Sequence, residues 1–305
     1  MVEKNGGTFV LDRAVGVDPT NKAILCESGK SISYDVVSFN CGSYVPKPEI
    51  IGDKTDFFTV KPIEKLLDAQ KRILSLVSEK KAVIGIVGGG PSAIEVAGNI
   101  WGLTANEGKN KPVIRIFTRG RLMGHFSDSI RKKVVRSLSS RGIDIQEKSP
   151  ITQIKADRII LESGKSHLLD LIFLALGVKP SAIFSDSDLP TGPDGGLLVN
   201  QFLQSTKYPE MFGGGDCIYF EPQPLDKVGV YAVRENPILF HNLMATLENT
   251  ALQSFDPGGA YLLIFNLGGG KGLLRKSWLQ FGGRPAFIIK DYIDRKFMKD
   301  FQAIE

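Results

Sequence analysis

The segment AVIGIVGGGPSAIEVAG, residues 82–98, places Gly88, Gly90 and Ala93 at the spacing GxGxxA. An apolar, β-branched run leads into this turn and a helical pattern leaves it, which is the context a dinucleotide-binding turn requires. Gly88 permits the tight turn, and Gly90 omits the Cβ that would keep a pyrophosphate off the backbone. Ala93 allows close packing of helix on strand. Phosphates would then meet the helix N-terminus, where unpaired N–H groups and the helix dipole favour negative charge. A glycine-rich strand-to-helix turn also occurs in α/β proteins that bind nothing there. Here the flanking strand, helix and second strand favour the binding reading.

The choice of nucleotide is set near the end of the second strand, about 20 residues further on, where an acidic residue bonds a ribose 2′-hydroxyl and an arginine accommodates a 2′-phosphate. This strand end reads IFTRGR. Thr118 takes the acidic position and Arg119 and Arg121 follow, so the charge favours NADPH over NADH. The alternative is that both arginines are solvated, or are drawn to the pyrophosphate that either nucleotide carries.

Other reactive side chains are scattered. His125, His167 and His241 stand far apart without partners at ligand spacing, so no metal site is expected. Cys26, Cys41 and Cys217 form neither a CxxC knuckle nor a disulfide framework, and point to a reducing, cytoplasmic setting. NLGGGKGLL, residues 266–274, lacks the GxxxxGK[ST] spacing of a phosphate loop and reads as a hairpin turn.

These residues need elements to hold them. Residues 8–43 read as short strands and turns, and a helical run, IEKLLDAQKRILSLVSEK, follows Pro62 with Ile63, Leu66, Leu67, Ile73, Leu74 and Val77 near helical spacing. From Lys81, strands and helices alternate as a parallel sheet demands, through VIRIFTR, DSIRKKVVRSLSS and IDIQEK to a hairpin and DLIFLALG. A loop-rich stretch, a helix near residues 231–247, apolar strands and a closing helix near residues 288–301 complete the chain. That last helix is amphipathic, with Ile289, Ile293, Phe297 and Phe301 four apart. The 305 residues suffice for two domains, and no apolar run is long enough to span a bilayer or serve as a signal peptide. The 38 basic and 33 acidic residues are dispersed, giving no electrostatic case for a nucleic-acid partner.

Taken together, YDVVSFNCGS, GGGPSAIEVAG, LALGVKPS and MFGGGDC, in this order, resemble the motifs of the pyridine nucleotide-disulfide oxidoreductase superfamily, the flavoproteins with two dinucleotide-binding domains. The chain looks most like the type II NADH dehydrogenase branch and its relatives linked to selenide, water dikinase. The resemblance covers nearly the whole chain. It implies FAD and NAD(P)H as cofactors, Gly42 and Ser43 beside the flavin, Gly177 in the loop closing the NAD(P)H domain, and Gly215 and Asp216 in the second flavin motif, with Asp216 on the ribitol. It also implies that Glu95 lies close to nicotinamide and flavin as the catalytic residue. A plain helix acid stabilised by the dipole is the other reading of Glu95, and turn chemistry is the other reading of Asp216. The closing helix corresponds to a region that meets a membrane surface or a second subunit; its balanced charges favour packing or a homodimer.

Two departures stand out: no thiol pair of the CxxxxC or CxxC type is present, and no GxGxxG unit for the ADP half of FAD precedes Thr8. The expected fold is α/β, a Rossmann-type NAD(P)H domain (59–178) inserted in a truncated FAD-binding domain (1–58 and 179–250), with a small C-terminal α+β interface segment (251–305). The expected function is FAD-dependent NAD(P)H oxidoreduction, with electrons passing to a small-molecule acceptor such as a quinone. The alternative is an NAD(P)-binding regulatory or interaction fragment without redox turnover.

Overall fold

The computed structural model describes residues 2–46, 48–52, 56–62, 64–108 and 110–302, with side chains to residue 299. Ile63 and the side chain of Phe301, both assigned above to apolar helix faces, lie outside the described residues. Among the described residues there are six α-helices: α1 Glu64–Glu79, α2 Pro91–Glu107, α3 Asp128–Ser139, α4 Ile183–Asp186, α5 Gly229–Glu248 and α6 Arg284–Gln302. The chain forms two compact units, Met1–Tyr44 with Val178–Gly259 and Val45–Gly177 with Ala260–Glu305.

The second unit is built on a five-stranded parallel sheet in the order Asp144–Gln146, Val113–Phe117, Val83–Val87, Leu171–Leu174, Phe57–Thr59. Strand alternation divides its side chains between two faces. Ile84, Ile86, Ile114, Ile116, Leu171 and Phe173 pack with the buried sides of α1, α2 and α3. Phe117, Ile172 and Leu174 face a separate cluster with Ile154, Ile159 and Leu161, which belong to a four-stranded layer of Ile50–Ile51, Ile151–Lys155, Arg158–Leu161 and Ser166–Leu168. The three central strands of the parallel sheet are thus covered on both sides, as such sheets require. In α1 the buried set is Ala69, Ile73, Leu76 and Val77, whereas Leu67 is exposed, because the face that meets the sheet is centred on residue 73.

This unit begins at residue 45, earlier than the change of character near residue 58 suggests. The reason is pairing: Ile50–Ile51 joins Ile151–Lys155, and Phe57–Thr59 forms the edge of the parallel sheet. The last residues join the same unit. A three-stranded antiparallel sheet, Leu263–Asn266, Gly272–Lys276 and Leu279–Gly283, packs on α2, and the first turns of α6 pack on that sheet.

The first unit holds a three-stranded antiparallel sheet, Ala14–Asp18, Ala23–Cys26 and Ser31–Ser33, and two parallel pairs, Val37–Phe39 with Met211–Gly213 and Leu197–Val199 with Ile218–Phe220. Phe39, Phe184, Leu197, Val199, Met211, Phe212 and Cys217 form its core with Leu239 of α5.

Candidate functional site

At the C-terminal end of the parallel sheet, the chain leaves Val83–Val87 toward one side and returns through Leu171–Leu174 on the other. Ligands of open α/β sheets bind at such a switch point. A cleft of about 950 Å³ opens there, lined by Gly88–Ser92 after one strand, Thr118–Arg121 after the next and Ala175–Gly177 after the third. Ile151, Thr152 and Ile154 line it as well. The volume falls in the range of ligand sites that enclose a molecule of dinucleotide size.

The three glycines of the turn have three different reasons to be glycine. Gly88 has φ +146°, and a Cβ there would stand 2.1 Å from the Ala175 carbonyl oxygen. A Cβ on Gly89 would meet the Thr118 hydroxyl at 2.3 Å. At Gly90, the N-cap of α2, a Cβ would meet no protein atom within 4 Å. The fold therefore requires glycine at 88 and 89 but leaves space at 90, beside a helix end without a side-chain cap. That combination fits a pyrophosphate on the first-turn N–H groups. Ala93 lies behind the turn, fully buried.

Gly88, Gly90, Thr118, Arg119, Arg121 and Gly177 all line this cleft. Thr118 is buried, its N–H donating to Gln146 O at 3.0 Å. Arg119 is exposed; Arg121 pairs with Asp128 at 2.9 Å. Gly177 holds φ +83°. His125, considered from sequence only as a metal ligand, lines the same cleft as the two arginines. Glu147, which sequence reasoning missed, supports the arginine turn from beneath. Its Oε1 accepts the Leu122 N–H and an Arg131 N–H, both at 2.6 Å. Burial alone would raise its pKa, but the bonds from Arg131 and Leu122 hold the carboxyl below its ordinary range. No local pattern marks such a residue.

Glu95 stands apart from the cleft-lining residues. Its Oε1 accepts the Asn266 N–H at 2.8 Å, so its carboxylate is turned to the C-terminal sheet. Burial pushes its pKa up, against the opposing effects of that N–H and of Lys290.

In the other unit, Gly42, Ser43, Gly215 and Asp216 come together where two parallel strands end. Gly42 and Gly215 take the left-handed conformation, at φ +63° and +73°. The Ser43 hydroxyl donates to Asp216 Oδ2 at 2.6 Å. A carboxyl group held at a strand end can accept bonds from ligand hydroxyls, which suits the polyol side of a flavin. Glu235 of α5 is buried and accepts the Gly215 N–H. Burial pushes its pKa up to about 7. Neither its position nor its state was legible in sequence. The recess beside Asp216 measures about 10 Å³, room for one water. Among the described residues, no group of three or more metal-ligating side chains occurs and no helix is long and apolar enough to cross a membrane.

A covered parallel sheet with a nucleotide-sized cleft at its switch point, joined in sequence to a second α/β unit, fits the class of dinucleotide-binding α/β proteins. The chain belongs to the pyridine nucleotide-disulphide oxidoreductase family, whose model matches residues 2–240. The family comprises oxidoreductases that use FAD and NAD(P)H. Among curated relatives, the chain is 25% identical over 280 residues to ferroptosis suppressor protein 1 of Taeniopygia guttata, covering 85% of this chain and 69% of that protein. It is 26% identical over 226 residues to the demethylphylloquinone reductase NdbB of Synechocystis sp., covering 71% and 55%. Among solved structures it superposes on the sulfide:quinone oxidoreductase of Aquifex aeolicus with a TM-score of 0.77 at 19% identity, over 98% of this chain and 76% of that one.

Proposed function

We propose that this protein passes reducing equivalents from NADPH, by way of FAD, to a quinone. The observation that carries the reading is the cleft at the switch point, where space is left at Gly90, beside the start of α2, and two arginines stand on the rim. The first-turn N–H groups of α2 hold the pyrophosphate. Arg119 takes the 2′-phosphate, with Arg121 assisting while partly engaged by Asp128. Ser43 fixes the Asp216 carboxylate to receive ribityl hydroxyls. When bound, the nicotinamide and the flavin would supply the hydride chemistry, and the protein groups named above would hold and orient them. Two of the similar proteins named above are described as reducing a demethylphylloquinone or as a sulfide:quinone oxidoreductase, which supports a quinone as the acceptor.

The test has two arms. Titration by nicotinamide fluorescence should show NADPH bound at least as tightly as NADH. Replacing Arg119 and Arg121 with Ala should weaken NADPH about 10- to 100-fold more than NADH, as loss of charge-assisted bonds worth about 1.5–3 kcal/mol implies. A tenfold preference for NADH in the unmodified chain would contradict the nucleotide assignment. Failure to reduce a quinone with saturating NADPH and added FAD would remove the redox assignment and leave the nucleotide site standing.

A further inference from the structure

The first unit brings together two cysteines that no sequence motif pairs. Val37–Phe39 and Met211–Gly213 run parallel, with Phe39 opposite Gly213. The Phe39 carbonyl oxygen accepts both the Gly214 N–H at 3.0 Å and the Cys217 thiol at 3.2 Å. Two residues beyond Cys41, Ser43 is bonded to Asp216, the neighbour of Cys217. The backbone on either side of Cys41 is therefore fastened to the backbone around Cys217. The paired strands that lead into the two cysteines lie about 4.8 Å apart, a spacing of the order a disulfide spans. The Cys41 and Cys217 side chains are close enough to perturb one another.

Their surroundings are unequal. Cys41 is exposed and Cys217 is fully buried, its proton shared between the Phe39 and Gly214 carbonyls. The neighbouring Cys217 thiol lowers the Cys41 pKa, partly opposed by desolvation. The same contact with Cys41, together with burial, raises that of Cys217. One thiol is thus accessible and inclined to ionise while its neighbour keeps its proton.

We propose that Cys41 and Cys217 form a peroxide-oxidisable thiol pair, with Cys41 as the attacking thiol and Cys217 as the resolving one. The Cys41 thiolate attacks one oxygen of a hydroperoxide. The O–O bond breaks, leaving a sulfenic acid on Cys41 and an alkoxide or hydroxide that takes up a proton. The Cys217 sulfur then attacks the Cys41 sulfur, the S–O bond breaks, and the departing hydroxide leaves as water with the Cys217 proton. Two thiols lose two electrons and the peroxide gains them. The disulfide would tie the turn at Gly42 to the turn at Gly215, beside the Ser43–Asp216 pair. The inference is independent of the nucleotide cleft.

The reduced full chain, treated with one equivalent of hydrogen peroxide, then alkylated and mapped by mass spectrometry, tests it. Cys41 and Cys217 should disappear together as one linked peptide pair that dithiothreitol restores, with Cys26 still alkylated. Before oxidation, Cys41 should alkylate at pH 7 about tenfold faster than Cys26. Cys217→Ser should leave a sulfenic acid on Cys41 that dimedone traps. Cys41→Ser, a change at an exposed position, should leave Cys217 unoxidised. Equal loss of all three thiols, conversion of Cys41 to sulfinic acid without linkage, or no reaction would each overturn the proposal.

Discussion

At the scale of single residues, two glycines of one turn answer to different masters. Gly88 is required by the fold, since its φ is positive and a Cβ would enter the Ala175 carbonyl. Gly90 is not required by any protein atom, so its absent side chain is left for a ligand. Gly90→Val should therefore keep the far-ultraviolet circular dichroism and melting temperature near those of the parent while raising the NADPH dissociation constant at least about 100-fold, the loss of a charge-assisted contact or two. Unchanged affinity in a fluorescence titration would falsify the assignment of the turn. The glycine spacing was legible because its chemistry is local. Glu147 was not, because it reaches the turn at Leu122 only after the parallel sheet has aligned the strand that precedes it.

At the scale of elements, the C-terminal sheet meets α2 through glycines on both sides. A Cβ on Gly98 would lie 2.2 Å from the Leu267 carbonyl oxygen, and one on Gly268 1.8 Å from the Gly98 oxygen. NLGGGK, residues 266–271, thus reads correctly as a turn, but its glycines also allow helix and hairpin backbones to touch. Gly98→Ala places a methyl against backbone that no rotamer can clear. It should cost on the order of 1–3 kcal/mol in urea unfolding and raise amide exchange across residues 263–276. Exchange unchanged there would show that the contact is dispensable. In the other unit, α5 carries Glu235 beneath Gly215. Its folded pKa of about 7 lies above the ordinary carboxylate value, so the protonated form is the stable one in the fold. Its contribution is complete below about pH 4.5 and is lost as pH rises through 7. Glu235→Gln should flatten this fall, with the parent and variant differing by on the order of 1–3 kcal/mol more at pH 8 than at pH 5. Parallel stability curves across that window would refute it. Burial lowers the pKa of His167, in the second unit, which acts in the opposite sense, so the difference between parent and variant is the quantity to read.

At the scale of the whole molecule, each of the two units is assembled from separated stretches of chain, and the nucleotide should stabilise the one that holds its cleft. NADPH at about 100 times its dissociation constant should add about 2.7 kcal/mol. Exchange protection should rise at residues 88–92, 118–121 and 175–177. Protection confined to residues 178–259 would place the nucleotide in the wrong unit. The order of strands and helices from residue 81 to 174 was fixed by the sequence itself, because hydrophobic period and glycine punctuation act over a few neighbours. So were the GxGxxA turn and its arginines. Only the tertiary structure decided that residues 45–58 belong with the nucleotide sheet, through pairings with strands about a hundred positions away. It also turned Glu95 to Asn266, 171 positions distant, buried Glu235 under Gly215, and set Cys41 against Cys217. Such contacts depend on which strands become neighbours. That choice is made by closure of the sheets around their cores, and no short window of residues encodes it.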